Sequence, residues 1–289
     1  KSILLNMLEI DIDGLNEMIE KLISMRLLDE RVGDWGYSYT IYNIQLKKLL
    51  YHDLLEGEKE KLHRKAAKIL EKSFNLENID NVDELIYHLT HSNQRDKAVE
   101  YLICQAKKMG PELSNQSISI WERAYELMDD MDSELKLEVL LNIGKLNQAT
   151  GNNDGALKIY DEVLKESKKL DEIKYNIQAK IYIGEIYLRR NEVDKAESAF
   201  LESIELSEKI DYIEGLLKAK ILLTKVLSTK DEMVKALNES NQLLNIVNKY
   251  GMVEYLGTIY NQMGIIFFLK GDMESAKDFY EKSIESDQK

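Results

Sequence analysis

The fold of this chain is decided by residues 141–160, which read LNIGKLNQATGNNDGALKIY. Within this stretch a small residue, Gly144, stands 12 positions before an alanine and 16 before an aromatic residue. Each of these three columns returns with a spacing of 40 residues: Gly144, Gly184, Thr224 and Gly264; Ala156, Ala196, Ala236 and Ala276; Tyr160, Phe200, Ser240 and Tyr280. A fixed period of this length is typical of proteins whose helical hairpins stack on one another.

The residue types in these columns indicate how each hairpin is built. Glycine allows a neighbouring helix to approach closely, and we expect the aromatic ring to fill the gap between successive hairpins. Gly151 and Gly271 are expected to end helices in the left-handed conformation. Four aspartates are the expected N-caps of the helices that follow: Asp154, Asp194, Asp231 and Asp272. The pattern therefore predicts a mostly all-α protein, with four regular hairpins over residues 131–289.

Composition supports a helical chain and excludes several classes of protein. There is one proline among 289 residues, and 44% of the residues are hydrophobic, enough for a continuous core. The net charge of −13 argues against a chain that coats nucleic acid or an anionic membrane. A single cysteine excludes an internal disulfide and a cysteine-based zinc site, and fits a reducing compartment. We therefore expect a cytoplasmic protein without a membrane segment. The start without methionine suggests a piece of a larger protein.

Three of the four copies resemble the tetratricopeptide repeat. The resemblance is carried by residues 141–146 with Gly151 and 156–160, by 182–187 with Ala196 and Phe200, and by 262–267 with Gly271, Ala276 and Tyr280. The period of 40 residues exceeds the usual period of about 34, and the proline that often closes each unit is absent. The resemblance implies an α-α superhelix with long helices, similar to the long-helix versions found in bacterial regulators and peptide sensors.

The first part of the chain does not follow the 40-residue register. We expect a helix capped by Asp13, a turn over 31–36, a strand over 37–42, and helices over 45–55 and 58–74. This order predicts a partial winged-helix domain with a small β-hairpin over residues 1–75. Over residues 80–130 we expect irregular repeat-like hairpins, with helices that include the segments 85–89, 96–102 and 118–127. Pro111 is expected to end the helix before it.

Residues 1–130 also resemble the segment that follows the ATPase core in bacterial STAND-type signal-transduction NTPases with tetratricopeptide sensor arms. The residues that carry the resemblance are Leu27-Leu28, 41–43, 49–51, 61–64 and Tyr87-His88. Asn43 departs from the histidine that is usual in the family. No phosphate-binding loop of the Gly-x-x-x-x-Gly-Lys-Ser/Thr kind occurs in the chain. The resemblance therefore implies that any NTPase lies in another part of the full-length protein.

Charge argues against nucleic-acid binding by the predicted winged helix. Residues 13–28 carry a net charge of −1 and residues 29–36 a net charge of −2, whereas DNA binding needs several cations on that face. The helix over 59–72 is locally basic, but its glutamates indicate an ordinary solvated face.

Candidate catalytic and metal-binding residues are few. Glu84, His88 and His91 have helical spacing that a metal could use, but we expect no further His or Cys nearby. Cys104 has no evident base and is expected to be a small buried residue. The sequence thus predicts no catalytic residue, no metal and no cofactor, and the fragment is not expected to be an enzyme.

The first helices of stacked hairpins line the inner face of such a solenoid, and we predict that this face is a partner-binding groove. Asn and Gln side chains can pair with a peptide backbone, and lysines can bind acidic side chains or a terminal carboxylate. The predicted groove residues are Asn142, Lys145, Gln178, Tyr182, Glu185, Arg189, Lys218, Leu222, Lys225, Asn261, Gln262 and Phe268.

The sequence favours a non-catalytic, regulatory sensor module of a larger cytoplasmic signalling protein. It is expected to bind a protein or peptide in the groove, and other domains of the same chain are possible partners. Two alternatives stay open: a transcription regulator that contacts DNA through residues 13–36, and a free-standing peptide-sensing regulator.

Overall fold

The computed structural model describes residues 2–33, 36–73, 82–109, 114–128 and 134–287. These residues form fifteen α-helices and a two-stranded sheet. The chain divides into two compact units, Lys1–Leu113 with Ser119–Asp129, and Ser114–Ile118 with Asp130–Lys289. We call the first the N-terminal unit and the second the repeat unit. The predicted end of a helix at Pro111 falls outside the described residues.

The N-terminal unit combines helices with one small sheet. In chain order its elements are α1 (Ser2–Leu8), α2 (Ile12–Ser24), β1 (Leu28–Gly33), β2 (Gly36–Ile41), α3 (Ile44–Asp53), α4 (Glu56–Ser73), α5 (Val82–His91) and α6 (Arg95–Met109). The division between the units passes through the next helix, α7 (Ser114–Leu127). The two strands pair antiparallel, from Leu28 opposite Ile41 to Gly33 opposite Gly36.

The order of helix, hairpin and helices in this unit agrees with the sequence prediction, while three details differ. Residues 31–33, predicted as part of a turn, belong to strand β1. Helix α1 was not predicted. Helix α2 is capped by Asp11, whose carboxylate accepts a hydrogen bond from the Gly14 backbone N–H at 2.8 Å, and Asp13 lies in the first turn instead. The core of the unit is built from buried apolar residues of α2, α4, α5 and α6, including Leu15, Leu70, Leu85, Leu89 and Leu102.

The repeat unit contains four helical hairpins. Their helices are α8 (Glu134–Ala149) and α9 (Asn153–Lys169), α10 (Ile173–Arg189) and α11 (Val193–Lys209), α12 (Ile213–Thr229) and α13 (Met233–Tyr250), and α14 (Leu256–Leu269) and α15 (Met273–Asp287). A short 3-10 turn, Val253–Tyr255, precedes α14. The predicted mostly α-helical solenoid of 40-residue hairpins is confirmed.

Glycine and an aromatic ring close three of the four hairpins. A Cβ atom on Gly144 would lie 2.4 Å from the Tyr160 ring, and a Cβ atom on Gly184 would lie 2.5 Å from the Phe200 ring. Gly264 stands in the same relation to Tyr280, at 2.7 Å. Each ring therefore packs on the glycine of its own hairpin, rather than only between successive hairpins as the sequence suggested.

In the third hairpin, the contact between the two helices is made without glycine and without an aromatic ring. Thr224 and Ser240 occupy the two columns and are both fully buried. Each hydroxyl donates to the backbone carbonyl four residues earlier in its own helix, at 2.9 Å, so that neither buried hydroxyl is left unpaired.

Left-handed residues end the first helix of every hairpin at the same register position. Gly151 and Gly271 have φ of 83° and 81°, as predicted, while Asn191 and Asp231 take the position in the middle hairpins. Asp231 is therefore not an N-cap, and Asp154 and Asp194 lie in the first turns of α9 and α11. The prediction of an aspartate cap is correct for Asp272 alone, which accepts a hydrogen bond from the Ser275 backbone N–H at 3.1 Å.

Helix length and composition also bear on membrane insertion. Within the described ranges, no helix is both long enough and apolar enough to cross a bilayer.

Candidate ligand-binding groove of the repeat unit

The first helices of the second, third and fourth hairpins meet at a pocket of about 250 Å³. Its walls are mostly apolar, with Ile181 and Tyr182 from α10 and Ile221 and Leu222 from α12. The remaining lining residues are Gln178, Glu185, Lys218, Tyr255 and Thr258. We call this the apolar pocket.

A second depression of about 290 Å³ adjoins the apolar pocket along the same helices. Glu185 and Leu222 line both depressions, and Arg189 and Lys225 belong to the second. We refer to the two depressions together as the groove. Seven of the predicted groove residues line it: Gln178, Tyr182, Glu185, Arg189, Lys218, Leu222 and Lys225.

Lys145 reaches the groove from the first hairpin. Its Nζ lies 5.4 Å from the centre of the Tyr182 ring, a cation–π contact. Loss of solvent around the ammonium, and then repulsion from Lys218, lower the pKa of Lys145. Lys145 forms no ion pair with any part of the chain that the structure describes. An ammonium in this position favours an anion from outside the chain.

Lys218, by contrast, has a carboxylate partner at the apolar pocket. Its Nζ donates to Glu214 Oε1 at 2.5 Å, and the Tyr212 hydroxyl donates to Glu214 Oε2 at 3.4 Å. Burial disfavours the charge on Lys218, but the hydrogen bond to Glu214 and the nearby acidic groups outweigh it and raise the pKa of Lys218. The same hydrogen bond lowers the pKa of Glu214. Both groups are therefore charged at neutral pH.

A polar chain connects the groove to the ring that closes the first hairpin. The Tyr160 hydroxyl donates to Gln148 Oε1 at 2.9 Å, and Gln148 Nε2 donates to Glu185 Oε2 at 3.0 Å. The Tyr160 ring in turn stacks on Tyr182, with 5.4 Å between the ring centres. Burial raises the pKa of both tyrosines, so both remain neutral. Glu185 is thus held in position by Gln148 and by Arg189, whose guanidinium lies 3.7 Å away.

The other predicted groove residues do not line either depression. Asn142 donates to the backbone carbonyl of Glu138 at 2.9 Å, within its own helix. Gln262 donates to the Ile221 carbonyl at 3.0 Å and so connects α14 to α12. Asn261 is exposed, and Phe268 is 52% exposed at the far end of α14. A binding role for these four residues stays a prediction.

Four lining residues were missed by the sequence reasoning: Leu188 and Thr229 in the second depression, and Tyr255 and Thr258 in the apolar pocket. Thr258 shares its register column with Gln178 and Lys218, so the 40-residue spacing contained the signal for it. Tyr255 belongs to the 3-10 turn before α14, and the 40-residue spacing does not predict this turn.

A histidine cluster in the N-terminal unit was also missed. His63 of α4 is 7% exposed, and its Nδ1 lies 2.8 Å from Nδ1 of His88 on α5. The Tyr51 hydroxyl lies 2.9 Å from His63 Nε2, and the His91 ring centre lies 5.0 Å from that of His63. The expectation that no third histidine stands near His88 and His91 is therefore wrong.

The cluster has the geometry of a hydrogen-bonded pair rather than of a metal centre. Among the described residues, no group of three His, Cys, Asp or Glu side chains is arranged to hold a metal ion. His91 uses its Nδ1 on the Tyr87 carbonyl, at 2.7 Å. Burial, followed by repulsion from the neighbouring histidines, lowers the pKa values of His63 and His88. Cys104 is half-buried on α6, partly as expected.

The matches to known protein families lie within the repeat unit. Models of the tetratricopeptide repeat match residues 138–169 and 257–289. The chain contains tetratricopeptide repeats. A search of curated proteins finds no match.

Solved structures share the fold at low sequence identity. BtubC from P. vanneervenii is 15% identical with a TM-score of 0.57, over 82% of this chain and 92% of that one. The STAND signal-transduction ATPase with a tetratricopeptide repeat sensor from Pyrococcus horikoshii is 18% identical with a TM-score of 0.59 over 83% of this chain. The matched region spans 38% of that ATPase. The Rap conjugation gene regulator of plasmid pLS20, solved with a peptide, is 15% identical with a TM-score of 0.55, over 83% of this chain and 72% of that one.

Proposed function

We propose that this chain is a non-catalytic sensor module of a larger cytoplasmic signalling protein, and that it binds a protein or peptide segment in the groove of the repeat unit. One observation carries the proposal. An apolar pocket lies beside two lysines, Lys145 and Lys225, that form no ion pair with the described residues. Apolar walls with a few placed polar groups are typical of ligand sites.

The groove favours a ligand that combines a large apolar side chain with a carboxylate. The Tyr182, Ile221 and Leu222 side chains would enclose the apolar group, which gains from leaving water. Arg189 and Lys218 already have carboxylate partners within the chain, whereas Lys145 and Lys225 offer their charge to a ligand. A peptide with Asp or Glu next to a large apolar residue, or with a free C-terminal carboxylate, meets both requirements.

The comparisons support a sensor role by likeness of fold. The Rap regulator was solved with a peptide bound, and the Pyrococcus ATPase carries its repeats as a sensor. We further propose that residues 1–75 are a partial winged helix that joins the sensor to an effector elsewhere in the full-length protein. The carboxylates Asp29 and Glu30 of β1 disfavour DNA contact through this hairpin.

A displayed library of random 12-residue peptides, selected against the immobilised chain, tests the proposal. We expect the selected sequences to be enriched in an acidic residue beside a large apolar residue. By calorimetry, Lys145→Met should weaken a selected peptide by about tenfold or more, since a hydrogen bond to a charged group contributes about 1.5–3 kcal/mol. Tyr182→Ala should weaken it by a similar factor, since the apolar group of the peptide loses buried contact with the ring.

Lys158→Met is the matched control, because Lys158 is an exposed lysine on the second helix of the first hairpin. It should leave the affinity unchanged. Selection of no peptide, or equal affinities for the Lys145 and Lys158 variants, would refute binding in the groove.

A further inference from the structure

One column of the 40-residue register carries alternating charge across the groove. Lys145, Glu185 and Lys225 are 40 residues apart, so they occupy equivalent positions on α8, α10 and α12. The column ends in an apolar residue, Ile265 of α14. Because α10 contacts both α8 and α12, the three charges follow one another across the helices.

The chain holds Glu185 through only one of its two carboxylate oxygens. Gln148 Nε2, at 3.0 Å, and the Arg189 guanidinium, at 3.7 Å, both approach Oε2. No hydrogen bond reaches Oε1 from the described ranges. The Glu185 side chain is 29% exposed and lines both depressions of the groove. A carboxylate that is fixed through one oxygen can accept a hydrogen bond from a ligand through the other.

A lysine stands on each side of this carboxylate without pairing with it. Lys145 Nζ lies over the Tyr182 ring, and Lys225 is an exposed residue of the second depression. Neither lysine forms an ion pair with any residue in the described part of the chain. The groove therefore presents its charges to a ligand in the order positive, negative, positive.

We propose that the segment bound in the groove carries the complementary order of charges, an inference that rests on the proposed function. An acidic residue lies at each end, facing Lys145 or Lys225, and a Lys or Arg between them donates to Glu185 Oε1. Packed helices lie about 8–10 Å apart and an extended chain advances about 3.3 Å per residue, so consecutive charges are about three residues apart.

Glu185 determines specificity in this arrangement. Two lysines alone would accept any acidic segment, including an uninterrupted acidic run. A carboxylate of the ligand opposite Glu185 meets a like charge, and this repulsion disfavours such a run. The groove thus selects a segment of mixed charge that also has a large apolar residue for the apolar pocket.

Peptides selected from the random 12-residue library serve as probes. Each is synthesised twice, once with its central Lys or Arg and once with Met in that place, and calorimetry on the unaltered chain and on Glu185→Gln completes a double-mutant cycle. Glutamine keeps an oxygen for Gln148 but carries no charge. We expect Glu185→Gln to weaken the cationic peptide by about fivefold or more and to leave the Met peptide unchanged.

The ends of the peptide are tested in the same way. Replacing one acidic end by its amide should abolish the effect of either Lys145→Met or Lys225→Met, while the other lysine variant still weakens binding. If both lysine variants keep their effect after this replacement, the assignment of one acidic residue to each lysine is wrong.

Glu205→Gln is the matched control, because Glu205 is an exposed glutamate on the second helix of the same hairpin. It should leave both affinities unchanged, and circular dichroism melts check that each variant folds. Selected peptides without a central cation, or equal affinities of the cationic peptide for the unaltered and Glu185→Gln chains, would overturn the proposed charge order. The proposed function would still stand in that case if Lys145→Met weakens binding, whereas a library that yields no peptide would refute both.

Discussion

Helix pairs in the two units are closed by opposite kinds of contact. In the repeat unit, α10 and α11 meet where the fully buried Phe200 ring packs on Gly184. In the N-terminal unit, α4 and α5 meet at the hydrogen-bonded pair of His63 and His88. The first contact is insensitive to pH because it is apolar. It can be predicted from the sequence because its residues recur every 40 positions. The second is polar and occurs once, so it responds to protons and has no periodic signal.

The largest expected effect comes from removing the apolar contact. Phe200→Ala leaves a cavity against Gly184, and the free energy of unfolding of the repeat unit should fall by about 3–5 kcal/mol. Chemical denaturation followed by circular dichroism measures the loss. Leu201→Ala, at the exposed neighbouring position, should change it by less than about 0.5 kcal/mol. A loss below about 1 kcal/mol for Phe200→Ala would show that the ring does not hold the hairpin.

Acid should act on the other contact. The pKa values of His63 and His88 are lowered in the folded state, so the pair contributes stability above about pH 6.5 that is lost as the pH falls. Full protonation would also bring two N–H groups face to face at Nδ1. The free energy of unfolding should fall by at most about 1.4 kcal/mol per pH unit for each histidine.

Hydrogen exchange at pH 7.5 and 5.5 measures this effect, since amides of α4 and α5 should lose protection at pH 5.5 while those of α10 and α11 keep it. Replacing both histidines, His63→Gln with His88→Gln, should remove the difference. His52→Gln, at an exposed histidine of α3, should keep it. Equal loss of protection in both helix pairs would contradict the assignment to the histidine pair.

A smaller effect distinguishes the hairpins from one another. Tyr160 donates to Gln148, while Phe200 stands opposite Leu188, which occupies the register position of Gln148. Tyr160→Phe should therefore cost about 1 kcal/mol, and Phe200→Tyr should cost about 1–3 kcal/mol because it buries a hydroxyl without a partner. Adding Leu188→Gln to Phe200→Tyr should recover part of the loss in denaturation experiments. If Leu188→Gln recovers none of the lost stability, the pairing of tyrosine with glutamine in the first hairpin and of phenylalanine with leucine in the second would be coincidental.

The smallest effect concerns helix capping. Asp272 caps α15 with its side chain, whereas the N-cap residue of α11, Glu192, makes no such hydrogen bond. Asp272→Ala should lower the melting temperature in line with about 0.5–1 kcal/mol, and Glu192→Ala should have an effect of a few tenths at most. Equal shifts in the two melting curves would contradict the difference in capping.

Periodicity explains what the sequence could and could not predict. Three columns with a 40-residue spacing were enough for the four hairpins and for the left-handed Gly151 and Gly271, because the same packing problem recurs in each copy. Local capping was harder, since Asp154 and Asp194 stand two positions past the N-cap residues of their helices, Asn152 and Glu192.

Contacts that occur once were beyond the sequence. His63 and His88 are 25 residues apart, and nothing periodic connects them. At the groove, the register placed Tyr182 and Lys218 on the same face, but it did not reveal that Gln262 is engaged with the Ile221 carbonyl. Side-chain partners of this kind depend on packing between hairpins, which a single sequence does not encode in its spacing.

Hydrogen exchange with and without a library-selected peptide tests the binding role of the groove most directly. If the peptide occupies the groove, protection should rise in α10 and α12, around Tyr182 and Lys218, and stay unchanged in the second helices α9 and α11. In the Lys145→Met chain the same peptide concentration should give markedly less protection. Protection confined to α9 and α11, or to the N-terminal unit, would contradict binding in the groove.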